Sequence, residues 1–588
     1  MKRKTISIAV VLLSSALSLG AEQAKPDLKY RWVYVSTNLL VEKNVESLEK
    51  LLARAAGAGY TGVALADFKF MLWDRMPQRY LTSVAKVRAA CRKHKLDCIA
   101  CVMPIGYAGA ILYRDPNLAA GLPVRDAPFV VRGGKIVPVD EGVQVVNGSF
   151  ESYQGHRPAG WGFADEPGKI SFIDTEVRFA GRASLRMQDI DRHSPRHGHG
   201  RVMQLLKVKP FRHYHVSAAV KTEDFAAAKQ VRIAVLAEGG ASLNHAEAGV
   251  APTQDWKRVH ATFNSLDFDQ VRLYLGVWGG KGGKIWWDDV RIEPAGLFNL
   301  VRRGGAPFRL TGAEGKPAYV EGEDFAGTEV LGSKAFPRVA TAWVTPPVMT
   351  VPAGSRLGEG QRVLASYYHT VWIHSSQLMC CMSEPKLYDI LDWQVAQVRQ
   401  HLQPDGYLMQ HDEIRIQGWD ESCARRKLTP GAILADNVVR CAGIIGQRDP
   451  GKPIYVWSDM FDPHHNAAKT GRYYLVRGDG PWHGSWEGLP KDVIVVNWHG
   501  HQPGRLESLQ HFAARGHKQI LAGYYDADPA RITGWLADAA RVEGVVGVMY
   551  TTWRHNYDDL EAFAARLDEF ARSRPGAPPA RQEPKAEP

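Results

Sequence analysis

The sequence lacks the motifs of several common enzyme classes. Its 588 residues contain no glycine-rich phosphate loop, no dinucleotide-binding fingerprint and no Ser or Cys nucleophile signature. After Ile6–Leu19 there is no second long apolar run, so no membrane span is predicted. These absences argue against nucleotide-dependent chemistry, nucleophilic Ser or Cys catalysis and a membrane-embedded protein.

Cysteine is also scarce. The seven cysteines are dispersed and odd in number, so at most three disulfides can form. Cys98 and Cys101 have a CxxC spacing, but they lie in the apolar run CIACVMPIG, in which alternate residues of a strand face opposite sides. We therefore interpret them as small buried hydrophobic residues and not as a redox or zinc pair.

The chain has little charge clustering. Its formal net charge is +11, but Lys and Arg are scattered without a basic block, which predicts a solvated surface and no nucleic-acid partner. With 45% hydrophobic and 23% charged residues over this length, we expect a soluble protein of two to four folded domains. No obligate protein partner is evident.

The N-terminus has the pattern of a secretory signal peptide. Lys2, Arg3 and Lys4 precede the apolar run Ile6–Leu19, and small residues follow at the expected cleavage region. We assign residues 1–21 to this signal and predict a periplasmic or secreted protein. The tail at 575–588 is rich in Pro, Ala and charge, which predicts disorder.

Two parts of the chain alternate apolar strand-like runs with amphipathic helical segments. Three such strands fall within residues 22–141 and five within 361–574, which predicts an α/β fold, a (β/α)8 TIM barrel with its active site at the carboxyl ends of the strands. The alternative is that the run VLASYYHT near residue 365 is a barrel strand. The count would then be nine, and one of the other eight runs would not belong to the barrel.

Between these parts, residues 142–296 show short strands, many glycines and turns, which predicts a β-sandwich inserted after the third barrel strand. The opening NGSFE and closing WWDDVRI resemble jelly-roll carbohydrate-binding modules of the family 4/9/22 type. That resemblance implies a structural calcium with Glu151, Asp288 and Asp289 as candidate ligands. Of Trp161, Trp278 and Trp286, we expect at least two to pack in the core. Residues 297–360 are interpreted as β-hairpins and loops.

Acidic and aromatic residues collect at the predicted ends of the last five barrel strands. They are His411-Asp412-Glu413, Trp457-Ser458-Asp459, Asn497-Trp498-His499, Tyr524-Tyr525-Asp526 and Thr552-Trp553-Arg554. Carboxylates and indoles on one rim do not stabilise a barrel, because polar groups cost free energy on burial unless they are paired. We therefore predict a site there.

This constellation resembles family 20 glycoside hydrolases, the β-N-acetylhexosaminidases, in which an adjacent Asp-Glu pair ends the fourth strand. The resemblance implies Glu413 as general acid and Asp412 as the residue that orients the substrate's 2-acetamido group. It further implies a substrate-binding set of Trp457, Asp459, Trp498, Tyr524, Asp526 and Trp553. The chain differs from the family in lacking an Arg on its first strand and in carrying His555 where a Glu is usual.

Hydrolysis assisted by the substrate's acetamido group can use two carboxylates that are adjacent in sequence, as Asp412 and Glu413 are. Two neighbouring carboxylates cannot straddle a sugar, but one can hold the acetamido N–H while the next protonates the leaving oxygen. The expected activity is cleavage of terminal β-linked N-acetylhexosamine from an oligo- or polysaccharide, without a catalytic cofactor. Two alternatives remain open: Glu413 acting with Asp526 or Asp459 on another sugar, or a glycan-binding protein that does not cleave. A metal at Asp459, Asp462, His464 and His465 is a further hypothesis, although their spacing matches no common zinc signature.

Overall fold

The structure is a computed structural model that describes residues 26–328, 332–333, 336–337, 339–340, 342–374, 377–468, 473–478, 480 and 482–572. The predicted signal peptide and the predicted disordered tail lie outside the described residues. Among the described helices, none has the length and apolar character needed to cross a membrane.

Eight parallel strands close into a barrel, as the sequence predicts. In chain order the barrel strands are Tyr30–Ser36, Gly62–Ala66, Asp97–Val102, Gly406–Met409, Ile454–Trp457, Ile494–Asn497, Gln519–Tyr524 and Val545–Thr551. Neighbours in sequence are neighbours in the barrel, and the eighth strand pairs with the first through Tyr30 and Gly547. Three strands precede the insertion and five follow it, so the predicted interruption after the third strand is confirmed.

Seven of the eight barrel strands are followed by an α-helix of at least eight residues. These helices are Glu42–Gly57, Gln78–Lys93, Pro385–His401, Pro430–Arg448, Arg505–Ala513, Ile532–Ala539 and Leu560–Arg572. Between the fifth and sixth strands the described residues form no α-helix. They form short 3-10 turns at Asp459–Phe461, Asn466–Ala468 and Ser485–Gly488, and a short strand, Leu475–Val476, that pairs with Ile416–Gln417. Short α-helices at Gly109–Leu112, Ile190–His193 and Glu421–Arg425 lie in connections.

Alternation along the strands separates two apolar cores. Leu408 points into the barrel with Trp32, Tyr34, Ile99 and Trp457, whereas its neighbours Tyr407 and Met409 pack outward among the helices. Because successive side chains of a strand face opposite sides, the inward series continues beyond the strand to Gln410 and Asp412. The fourth strand thus directs a carboxylate to the open end of the barrel.

The insertion contains a sandwich of two antiparallel five-stranded sheets. In one sheet the order is Gln254–Asn264, His213–Glu223, Lys284–Pro294, Ser184–Met187 and Ser171–Asp174. In the other it is Ser242–Glu247, Val231–Ala237, Gln270–Trp278, His199–Lys207 and Phe163–Ala164. Trp161 and Trp286 are buried, so the expectation that at least two of the three tryptophans pack in the core is confirmed.

The three carboxylates proposed for calcium already have protein partners. Glu151 accepts hydrogen bonds from the backbone N–H of Arg182 and Ala183, and Asp288 accepts from Phe179, Ala180 and Asp289. The carboxylate of Asp289 is paired with both Arg258 and Arg291. Two guanidinium groups on one carboxylate repel a cation, so the residues present do not fit a calcium site that includes Asp289.

A third antiparallel sheet, here called the accessory sheet, contains strands from both sides of the domain boundaries predicted from the sequence. Its strands run in the order Ala318–Tyr319, Arg309–Gly312, Arg362–His369, Leu122–Arg132, Lys135–Pro138 and Met349–Thr350, and Leu300–Val301 also pairs with Arg362–His369. Residues 122–138 and VLASYYHT therefore belong to this sheet and not to the barrel. The alternative of a ninth barrel strand is wrong, because Arg362–His369 pairs with Leu122–Arg132 in antiparallel register.

The sandwich packs on the accessory sheet through buried rings. His213 of the sandwich stacks on His369 of the accessory sheet with ring centroids 3.5 Å apart. Asn264 donates to the carbonyl of Pro123 over 2.9 Å and is hydrogen-bonded to His369 over 2.8 Å. All seven cysteines of the chain are free and buried, in agreement with their interpretation as small core residues.

Candidate active site

A cavity of about 620 Å³ opens at the carboxyl ends of the barrel strands. Of the residues predicted for the site, five line it: Asp412, Glu413, Trp457, Trp498 and Trp553. Asp67 is another acid of the lining, and it is held by the backbone N–H groups of Leu39 and Lys69, by the Lys69 ammonium and by the Tyr80 hydroxyl. The other two acids of this lining are Asp412 and Glu413.

The backbone at Glu413 brings two adjacent carboxylates to one cavity. In an extended strand Asp412 and Glu413 would face opposite sides. Glu413 instead has φ of 53°, in the left-handed region that side chains other than glycine rarely adopt. This turn directs Glu413 back into the cavity beside Asp412, and such strained positions occur often at functional sites.

Three polar side chains hold the Glu413 carboxylate. Its Oε2 accepts hydrogen bonds from the Tyr107 hydroxyl over 2.5 Å and from the Gln377 amide over 3.0 Å. Its Oε1 is 2.8 Å from a guanidinium nitrogen of Arg415, whose side chain is almost wholly buried. Arg415 also donates to Gln377. Glu413 is thus oriented by a network that leaves its carboxylate on the cavity surface.

Asp412 has a different environment. Its Oδ1 is buried and has no hydrogen-bond partner among the residues that the structure describes. Burial raises the pKa of Asp412 well above its ordinary value, and the nearby charges of Asp459 and Glu413 raise it further. A cationic group arriving beside Asp412 would have the opposite effect and would favour its ionised form.

The loop after the third strand packs closely against the segment that carries Asp412 and Glu413. The N–H of Ile105 donates to the carbonyl of Gln410 over 2.9 Å, and Tyr107 reaches Glu413. Between them, Gly106 lies so close to the segment that a Cβ built on it would be 1.6 Å from the carbonyl oxygen of Asp412. Only glycine allows this approach, so the loop fixes the position of the Asp412-Glu413 peptide.

Aromatic rings form the walls of the cavity. Tyr34 makes edge contacts with Trp457 and Trp553 at centroid distances of 5.7 Å and 5.3 Å. Tyr525 stacks parallel to Trp498, 6.0 Å away, and meets Trp553 edge-on. Trp553 is 49% exposed at the mouth, a large exposure for an indole. Such walls suit the apolar faces of a sugar ring.

Three of the predicted substrate-binding residues lie behind the cavity surface. Tyr524 is buried against Tyr550, and its hydroxyl donates to Asp559 over 2.7 Å. Asp526 accepts hydrogen bonds from the Thr552 hydroxyl and from the backbone N–H of Trp553, so it supports the loop that carries Trp553. The prediction that Tyr524 and Asp526 contact the substrate directly therefore does not agree with the structure, in which neither residue lines the cavity.

Asp459 is also fully buried. One of its oxygens accepts from the backbone N–H of Glu413 over 2.9 Å and from the Asn466 amide over 2.8 Å. Burial raises the pKa of Asp459 to about 6. Asp459 lies under the segment that carries Asp412 and Glu413 and is not part of the cavity lining.

The backbone conformation explains why Tyr524 is buried behind the cavity and does not line it. Tyr524, Tyr525 and Asp526 all have positive φ, between 53° and 75°, so the strand alternation used for the prediction ends one residue early. Tyr525 consequently takes the cavity position. Sequence reasoning also missed Tyr34, Tyr107 and Arg415; Arg415 alone had a local signal, since it follows Glu413 by two residues.

Comparison with known families identifies one part of the chain. Residues 142–282 match the model of a carbohydrate binding domain, which confirms the predicted character of the sandwich. No curated protein matches the chain. A family for the barrel is not shown by these comparisons.

Several solved structures show limited similarity. TmCBM61 in complex with β-1,4-galactotriose is 16% identical, covers 25% of this chain and 95% of its own, and has a TM-score of 0.20. The CBM22-1 xylan-binding domain of Xyn10C from Paenibacillus barcinonensis is 17% identical over 25% of this chain and 90% of its own, with a TM-score of 0.18. The rhamnosidase from Novosphingobium sp. PP1Y is 11% identical over 91% of this chain and 56% of its own, with a TM-score of 0.29. With TM-scores this low, these likenesses identify neither a shared barrel nor a substrate.

Proposed function

We propose that this protein is an exported glycoside hydrolase that removes terminal β-linked N-acetylhexosamine from glycans with participation of the substrate's acetamido group. The observation that carries the proposal is the pair Asp412 and Glu413, which share one aromatic-walled cavity although they are adjacent in sequence. Adjacent carboxylates are too close to stand on opposite faces of a sugar ring. They can act together only on groups that lie on the same side.

In the first step the acetamido oxygen attacks the anomeric carbon and the glycosidic bond breaks. Glu413 gives its proton to the leaving oxygen, and a cyclic oxazolinium ion remains in the cavity. In the second step water attacks the anomeric carbon, Glu413 takes up a proton from that water, and the acetamido group is restored with retained configuration. Tyr107, Gln377 and Arg415 hold the ionised carboxylate of Glu413, which is the form that takes up the proton from water in the second step.

Asp412 accepts the acetamido N–H and faces the positive charge that develops on the oxazolinium ion. Because burial and neighbouring acids raise the pKa of Asp412, the free site disfavours its ionised form. A cationic transition state reverses that preference. The interaction is therefore stronger in the transition state than in the ground state, which is the condition for catalysis.

The alternative with two separate carboxylates has less support. Asp459 lies under the catalytic segment and Asp526 supports the loop of Trp553, so neither faces the other side of a bound sugar. The sandwich would hold the same polymer through its carbohydrate binding domain, which keeps the barrel near its substrate. We further propose that the chain acts in the periplasm or outside the cell, where such glycans occur.

A matched panel of aryl β-glycosides tests the proposal. N-acetylglucosaminides and N-acetylgalactosaminides should be hydrolysed, whereas glucosides and galactosides, which lack only the acetamido group, should not. Glu413→Gln keeps the shape but cannot transfer a proton, so turnover of substrates with poor leaving groups should fall by about 10²–10⁴. Activity confined to sugars without the acetamido group would refute the mechanism, and binding without any turnover would indicate a glycan-binding protein.

A further inference from the structure

Three buried metal-ligand side chains meet behind the Trp498 wall of the cavity. Asp462, His465 and His499 each offer one ligand atom, and these atoms lie within 4.8 Å of one another. Their exposed fractions are 0%, 9% and 7%. Three ligands of this type, brought together from two loops and shielded from water, form a ligand set that neither the carbohydrate binding domain nor the proposed hydrolysis explains.

The barrel frame brings the three residues together. Asp462 and His465 belong to the loop after the fifth strand, and His499 follows the adjacent sixth strand by two residues. The His465 and His499 rings lie 4.6 Å apart and nearly parallel. Gly504 packs against the His499 ring, where a Cβ would come within 2.8 Å of Cε1. The backbone after the sixth strand therefore fixes the place of the His499 ring.

The carboxylate has an orienting partner. The Ser508 hydroxyl donates to Oδ2 of Asp462 over 2.6 Å, and the backbone N–H of His464 donates to Oδ1 over 2.8 Å. Oδ2 of Asp462 lies 3.7 Å from Nδ1 of His499, a separation too long for a hydrogen bond. Supporting hydrogen bonds to a ligating carboxylate are a regular feature of protein metal sites.

We propose that Asp462, His465 and His499 bind one divalent transition-metal ion of the zinc class. Two imidazole nitrogens and one carboxylate oxygen suit such ions, whereas calcium and magnesium require oxygen ligands. With metal–ligand distances of about 2.0–2.1 Å in tetrahedral geometry, the ligand atoms would lie about 3.3 Å apart, so a bound ion would draw them closer than they lie in this structure. The sequence hypothesis of a metal in this loop keeps Asp462 and His465 but exchanges Asp459 and His464 for His499.

The site would act on structure and not on the chemical step. His465 contacts the Trp498 ring edge-on at 4.2 Å, so an ion bound here fixes the wall of the sugar cavity from behind. It joins the loops after the fifth and sixth strands, at the one barrel position where the described chain forms no α-helix. The inference does not rest on the proposed hydrolysis and holds whether or not the barrel cleaves a sugar.

The test uses Zn²⁺ and the full chain. After treatment with a chelator and dialysis, the wild type should take up one equivalent of Zn²⁺ by elemental analysis, and Zn²⁺ but not Mg²⁺ should raise its melting temperature. Asp462→Asn and His499→Asn should each weaken Zn²⁺ binding about tenfold or more, and Ser508→Ala should weaken it about tenfold. His464→Asn is the matched control, because His464 is exposed in the same loop and should leave Zn²⁺ uptake unchanged.

The outcomes are distinct. Uptake of Zn²⁺ that is equal in the wild type and in His499→Asn would show binding by other residues, such as the buried group Cys381, Asp420 and Cys423, and would overturn the proposal, as would no uptake at all. If the ligand variants fail to fold, the visible absorption of Co²⁺ bound to the wild type decides the question. A tetrahedral spectrum with one equivalent and no thiolate-to-cobalt charge-transfer band supports the site, and a thiolate band or an octahedral aqueous spectrum refutes it.

Discussion

Asp412 and Glu413 are chemically similar residues in different surroundings. Glu413 has three polar partners, including a buried guanidinium, whereas Oδ1 of Asp412 has no partner among the described residues. Environments that separate two carboxylates in this way allow one fold to assign them different roles. At the residue scale, the proposed mechanism therefore depends on which of the two carboxylates meets the acetamido group.

The variant Asp412→Asn tests that assignment. The amide keeps the shape but carries no charge to match an oxazolinium ion, so kcat on N-acetylated aryl glycosides should fall by about 10²–10³. A thiazoline analogue of the ion should inhibit the wild type well and the variant poorly. A covalent glycosyl-enzyme on Asp526 or Asp459, trapped with a fluorinated sugar and seen by mass spectrometry, would contradict the assignment.

The neighbouring tyrosines 524 and 525 give a second residue-scale prediction. Tyr525→Phe removes a hydroxyl from a cavity residue and should lower kcat/KM without loss of stability. Tyr524→Phe removes buried hydrogen bonds to Asp559 and Asn556, so it should cost about 1 kcal/mol of unfolding free energy with KM unchanged. Steady-state kinetics and thermal melts on both variants test whether activity and stability are affected separately in this way. A loss of kcat/KM in Tyr524→Phe but not in Tyr525→Phe would show that Tyr524 contacts the substrate.

At the scale of elements, the site depends on loops that break the strand pattern. The loop after the third strand contacts the segment after the fourth through Ile105, Gly106 and Tyr107. These are contacts between backbones as much as between side chains. The position of Asp412 and Glu413 is thus set by a loop that contributes no acid to the pair.

Gly106→Ala tests this close packing. A Cβ at 1.6 Å from the carbonyl oxygen of Asp412 forces the two loops apart, so the catalytic carboxylates must move. Misplacement of about 1 Å can cost about 10²-fold in rate, and we expect a loss of that order in kcat with a folded protein. Gly443→Ala is the control, because it lies in a helix with nothing within 4 Å of a new Cβ. Equal activity of both variants would show that the loop position is not critical.

At the scale of the whole molecule, buried histidines join the sandwich to the accessory sheet. Burial lowers the pKa of His213 well below its ordinary value, and it lowers the pKa of His369 to about 3 and of His260 to about 4. Burial also lowers the pKa of His215, although Glu293 opposes this shift. Protons therefore bind the unfolded chain in preference to the folded one between about pH 6.5 and pH 3. The stability of this junction is present above that window and is lost as the pH falls through it.

His213→Phe should reduce this acid sensitivity. Both ring nitrogens of His213 are buried without a hydrogen-bond partner among the described residues, so Phe removes a titrating group and retains the stack on His369. The fall in melting temperature between pH 7 and pH 5 should be smaller in this variant than in the wild type. His193→Phe, at an exposed position, should follow the wild type. An unchanged pH dependence in His213→Phe would place the acid-sensitive groups elsewhere.

The barrel and the sandwich were both predictable from the amino-acid sequence. Both rest on periodicity: apolar strands alternating with amphipathic helices, and short strands separated by glycine-rich turns, are local patterns that burial imposes on a chain. The same patterns located Asp412, Glu413 and the tryptophans 457, 498 and 553, because residues that end parallel barrel strands meet on one rim. The accessory sheet was missed, since its strands come from segments more than 200 residues apart.

Which of the rim residues face the cavity could not be predicted from the sequence, because it depends on the folded backbone. Positive φ at Glu413 turns it toward Asp412, and positive φ at Tyr524 and Tyr525 exchanges the two tyrosines. Distant segments supply Tyr107 and Gln377 to Glu413, and His499 to Asp462 and His465. Strand alternation predicts side-chain direction only while the backbone stays extended, and contacts between distant segments leave no periodic trace in the sequence.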